Sequence, residues 1–97
     1  AKADAKMEEI TIASLRDYIL RYKRYRNRFP AMLILNPISW IRLVEEAEGI
    51  NGVSPPIVST VTPRFMGVKV MRSLDVNENE LYYVEESDKV NLAKFGI

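Results

Sequence analysis

An α+β domain, with two helices packed on a small and mostly antiparallel sheet, follows from three features of the sequence. Met32-Leu33-Ile34-Leu35 is apolar at every position and reads as a strand covered on both faces. It runs straight into Asn36-Pro37 and a segment of helical periodicity, while residues 12–28 upstream carry a second helical pattern. Residues 66–72 and 81–84 alternate apolar and polar and are rich in β-formers, as half-buried strands do.

In chain order, residues 1–10 open with the small and charged AKADAK, which cannot bury enough surface to order itself. They are predicted to be a flexible tail ahead of one domain over 11–97. Over residues 12–28, Leu15, Tyr18, Ile19, Tyr22 and Phe29 share a face and Tyr25 borders it, with Thr11 or Ser14 placed to cap. Leu20 projects opposite that face, and Arg26 falls within it. Pro30 bars continuation and turns Phe29 toward extended geometry.

Met32–Leu35 is the central strand. Asn36 can then accept a bond from an orphan backbone N–H, and Pro37 has no N–H to waste at the first helical position. Trp40, Leu43, Val44 and Ala47 fall on the core face with Ile41 at its edge, and Ser39, Arg42, Glu45 and Glu46 face away. Trp40 is the largest single apolar anchor, and Gly49 suits the left-handed position that ends helices.

The segment GINGVSPPIVSTVTP is rich in breakers around one β-branched run, 57–62, and reads as a long loop with a short edge strand. Residues 66–72 and 81–84, joined by the polar SLDVNENE, read as antiparallel neighbours. Gly67, inside the first, marks a bulge or a close backbone approach. Residues 89–95 alternate weakly, as a last strand or a short helix would.

Composition narrows the chemistry. With 97 residues, 47% of them hydrophobic, and a net charge of +1, the chain has one core and no overall field to draw it to nucleic acid or membrane. Neither cysteine nor histidine is present, which removes disulfides, the usual zinc sites, thiol nucleophiles and the commonest general base. Glu78 with Glu80, and Glu85 with Glu86, are sequence neighbours in or beside turns, not carboxylates converging in a cleft. Ser59, Thr60 and Thr62 have no base to activate them, and Gly49 and Gly52 follow a helix instead of opening one. The expectation is a protein with no catalytic residues, metal or cofactor, and not an enzyme. No apolar run approaches the roughly 20 residues of a membrane span, and the first residues lack a signal core. A soluble protein made inside the cell, with no membrane partner, is expected.

Two charge features remain. Arg16, Arg21, Lys23, Arg24, Arg26 and Arg28 lie among Tyr18, Tyr22 and Tyr25 with only Asp17 opposing them. Cations interleaved with aromatics can grip phosphates and stack on bases; equally, the tyrosines belong to the core and the cations suit a helix C-terminus. Glu45, Glu46 and Glu48 are the converse, carboxylates at a helix C-terminus that oppose its dipole. A basic neighbour, in the fold or on another copy, would explain them. The candidate contacts are therefore Leu20, Arg24 and Arg28 on one subunit against Glu45, Glu46 and Glu48 on another.

The order helix, LILNPISWIRL, Pro/Gly-rich loop, RFMGVKVMRSLDV, ELYYVE resembles the axial, capsomer-centre domain of the tailed-phage and encapsulin-type major coat proteins. The resemblance spans roughly residues 12–86. It rests on Asn36 and Pro37 ending an apolar strand, Trp40 three residues after the proline, and the strand motif Met66-Gly67-Val68-Lys69-Val70. Val68-Lys69 stands where that motif has its proline, and the family's N-terminal arm, extended loop and spine helix have no counterpart, so the likeness is to one domain of a shell protein. The resemblance implies a phage or prophage-derived structural protein of the virion or host cytoplasm that associates with itself or with other head proteins. It implies no catalytic residues. A nucleic-acid-binding accessory protein using the basic first helix is the alternative.

Overall fold

The apolar run Met32–Leu35 lies at the middle of the sheet with all four side chains buried, in a computed structural model that describes residues 5–48, 58–59 and 63–85. The elements are β1 (Ala5–Lys6), α1 (Ile12–Arg26), β2 (Met32–Leu35), α2 (Pro37–Glu48), β3 (Val58–Ser59), β4 (Arg64–Phe65), β5 (Val68–Arg72) and β6 (Glu80–Val84). They form a six-stranded sheet in the order β1-β6-β2-β5-β4-β3 with two helices packed on it. Only β2 and β5 are parallel, so the sheet is mostly antiparallel, as expected.

The strands over 66–72 and 81–84 are not neighbours. β2 lies between them, with Leu33 opposite Val70 on one side and Tyr83 on the other. A strand apolar on both faces loses least when both its edges are also paired. Residues 73–79 therefore cross the end of β2, where the Ser73 N–H donates to the Leu35 carbonyl at 2.9 Å. This connection is less polar than it reads, since Val76 is fully buried beneath the sheet with Met32, Ile34 and Val84.

The other face carries both helices. Leu33, Leu35, Val68, Val70 and Leu81 meet Leu15 and Ile19 of α1 and Trp40 and Leu43 of α2. Thr11 caps α1 in a reciprocal pair: its Oγ1 accepts from the Ser14 N–H at 3.1 Å, and its own N–H donates to Ser14 Oγ at 2.8 Å. The helix ends at Arg26, followed by Asn27 in the left-handed conformation with φ 59°. Phe29 thus lies beyond the helix, and the helical period no longer places it on the core face; it is 42% exposed under the Lys23 ammonium.

Two further expectations are corrected. From residue 5 onward the predicted tail is part of the fold: Ala5 and Lys6 pair with Leu81 and Glu80, the Met7 N–H donates to the Asn79 carbonyl, and Ile10 is buried. The edge of β6 and the buried contact of Ile10 with the core supply the ordering that the composition of 1–10 lacks by itself. Gly67 is not within a strand. Phe65 pairs with Val68, so Met66 and Gly67, at φ 51° and 82°, are the two central residues of a tight hairpin turn that requires positive φ at both. Gly49, most of the run 57–62 and residues 89–95 lie outside the described residues.

Candidate functional site

Asn36 and Pro37 begin α2 as the residue types demand. Asn36 Oδ1 accepts from the Ile38 N–H at 2.8 Å, and its Nδ2 donates to the Val76 carbonyl at 2.7 Å, so one buried side chain caps the helix and holds the 73–79 connection. The same connection buries Ser39, whose hydroxyl donates to the Glu78 carbonyl at 2.7 Å; helical spacing alone had placed it facing away. Arg42 pairs with the Glu78 carboxylate at 3.0 Å. Trp40 is buried as expected.

The basic end of α1 is organised by Glu85, just past β6. Its Oε1 accepts from the Tyr22 hydroxyl at 2.7 Å and Arg26 Nη1 at 2.6 Å, and its Oε2 accepts from Arg28 Nη2 at 3.1 Å. Tyr22 and Tyr83 meet edge to face at 4.9 Å, and the Arg26 guanidinium lies 5.6 and 5.9 Å from their ring centres. This explains why Arg26 falls within the apolar stripe: the last turn of α1 overhangs the end of β6. Burial, then the bond to Glu85, pushes the Tyr22 phenol up to about 12. The Tyr22 bond, followed by the Arg26 and Arg28 charges, holds the Glu85 carboxyl below its usual range. At neutral pH the phenol keeps its proton and the carboxylate stays ionised, so the cluster ties α1 to the sheet.

The six proposed contact residues divide. Arg28 is engaged with Glu85 in its own subunit. Glu46 turns toward α1, where its Oε2 accepts from the Ile12 N–H at 3.0 Å. Its carboxylate opposes the dipole of α2 but complements that of α1. Leu20, Arg24, Glu45 and Glu48 remain exposed, and among the described residues no ion pair joins an α1 cation to an α2 carboxylate. Arg16, Leu20 and Arg24 form one outer stripe at helical spacing on α1. On α2, Ile38, Ile41, Glu45 and Glu48 form another, with Ile38 44% and Ile41 53% exposed. Sequence reasoning missed the two isoleucines, although Ile41, lying about 100° from Trp40 on a helical projection, signalled an outward side chain.

On a separate flank of α1 an open trough of about 630 Å³ runs along the β1–β6 side of the sheet. Tyr18, Arg21 and Tyr25 line it from the helix and Tyr83 from β6, with Tyr22 and Arg26 between them and β1 as the far wall.

Comparison with protein-family models, with curated proteins and with solved structures finds no match to this chain.

Proposed function

We propose that this chain is a phage or prophage-derived structural protein of the virion head, which joins copies of itself or other head proteins through the outer faces of its two helices. One observation carries the reading: the exposed stripes Arg16-Leu20-Arg24 and Ile38-Ile41-Glu45-Glu48 are opposite in charge, each includes at least one exposed aliphatic side chain, and neither is neutralised by the other within the subunit. Two different and complementary patches on one molecule favour a head-to-tail contact, which closes into a ring when the rotation allows. The helix, strand and Asn-Pro helix start that resemble the coat-protein axial domain lend the same direction to the argument, since that domain meets its copies around a capsomer centre.

Sedimentation over a range of concentration tests the proposal. Glu45→Lys with Glu48→Lys should weaken self-association, and adding Arg16→Glu with Arg24→Glu should partly restore it, because charge pairs in contact are non-additive. Exposed pairs contribute about 0–1 kcal/mol each, so the change will appear near the association midpoint and fade in high salt. Glu46 and Arg28 are left unchanged because both serve contacts inside the subunit. A chain that stays monomeric at millimolar concentration overturns self-assembly.

A further inference from the structure

We infer that the trough beside α1 is a binding site for single-stranded nucleic acid, with bases against its tyrosines and the phosphate backbone along Arg21 and Lys6. The proposal stands apart from the assembly surface: Leu20 and Arg24 point away from the sheet, whereas Tyr18, Arg21 and Tyr25 occupy the flank facing the trough.

The geometry supplies both parts of such a site. Tyr18 and Tyr25 are seven residues apart, about 10 Å along the helix axis, close to three stacking steps of about 3.4 Å. Arg21 lies between them at positions three and four residues away, on the same side of the helix. Tyr83 lines the trough from β6, and Tyr25, 84% exposed, lines it from the last turns of the helix. The field has the right sign, since α1 carries Arg16, Arg21, Lys23 and Arg24 against Asp17, with Arg26 and Arg28 together facing the single carboxylate of Glu85. The Arg21–Asp17 pair is 3.2 Å long with side chains 61% and 67% exposed, a tie weak enough to yield to a phosphate. Arg26, also in the lining, is held and its charge offset by Glu85, so the phosphate contacts fall to Arg21 and Lys6. An acidic peptide would satisfy the cations but leave the exposed Tyr25 ring unused, and a duplex would not bring its stacked bases to it.

The test is fluorescence anisotropy of the full chain with a labelled oligothymidylate, an abasic strand of equal length and a duplex. The expected order is oligothymidylate tightest, with affinity falling steeply as salt rises. Loss of stacking in Tyr25→Ala should weaken the oligothymidylate about 5- to 100-fold while the abasic strand changes little. Arg21→Ala should weaken both strands and reduce the salt slope by about 0.7. Both residues are exposed, so the variants should keep the parent melting temperature, and Tyr25→Ala should keep its sedimentation behaviour. Equal binding of duplex, abasic and oligothymidylate strands, unchanged affinity in Tyr25→Ala, or no binding at low salt would each overturn the site. An acidic peptide that binds as tightly as the oligothymidylate would overturn it as well.

Discussion

Glu46 at the end of α2 accepts a hydrogen bond from the Ile12 N–H at the start of α1, 34 residues earlier in the chain. The carboxylate therefore adds a second acceptor to an N-terminus that Thr11 already caps, and it lies where the α1 dipole favours negative charge. Glu46→Ala is expected to lower stability by about 1 kcal/mol. Glu45→Ala, with no such contact, should stay within about 0.5 kcal/mol. Urea unfolding of the two variants checks this, and equal losses would remove the capping role.

Asn36 holds two partners at once, so its loss should exceed that of an ordinary cap. Asn36→Ala leaves the Ile38 N–H and the buried Val76 carbonyl without their acceptor and donor, an expected loss of about 2–3 kcal/mol. Asn36→Asp keeps the acceptor for Ile38 but loses the donor to Val76, and it should be rescued in part at low pH, where the carboxyl is protonated. Thermal unfolding at neutral and acidic pH separates the two contributions.

Trp40 and Phe29 were both placed on core faces by periodicity, and the structure buries only the first. Trp40→Ala should cost about 3–5 kcal/mol, a large part of the stability of a small domain. Phe29→Ala should cost under about 1 kcal/mol, since it removes a partly exposed ring and one cation–π contact. An unchanged melting temperature for Trp40→Ala would contradict the packing.

The Tyr22–Glu85 bond predicts two pH windows. Glu85 titrates below its unfolded range, so its stabilisation is present above the unfolded value of about 4.3 and is lost as pH falls through the lower folded value. Tyr22 titrates above its unfolded value of about 10, so its stabilisation is present below that pH and is lost as pH rises toward about 12. Tyr22→Phe should cost about 1–2 kcal/mol at neutral pH and remove the alkaline loss, and Glu85→Gln should remove the acidic one. Stability curves from pH 2 to 12 for the three proteins test both signs.

Much of the frame was legible because its signals are local. Four apolar residues in a row cannot face water on either side, so Met32–Leu35 had to be central. An Asn-Pro pair can start a helix within its own few residues, whereas the end of α1 at Arg26, two residues short of the predicted Arg28, was not read from the sequence. The outer stripes were half legible: Leu20, Arg24, Glu45 and Glu48 stood out in the sequence, but Ile38 was not singled out and Ile41 was placed only at the edge of the core face, whereas both are exposed. Ser39 and Val76 were misjudged for one reason, since their burial depends on the 73–79 connection folding over the start of α2.

By itself the sequence determined the two helices, the central strand, the helix start at Asn36 and Pro37 and the polarity of the two helical surfaces. Each of these follows from side-chain chemistry acting within one or two turns or along one strand. Tertiary structure alone decided that β2 separates β5 from β6, that residues 5–10 complete an edge, that Glu46 serves α1 and that Glu85 gathers Tyr22, Arg26 and Arg28. These contacts join residues between 34 and 76 positions apart, and no local periodicity records which distant backbone edge or charge a residue will meet once the apolar surfaces have packed.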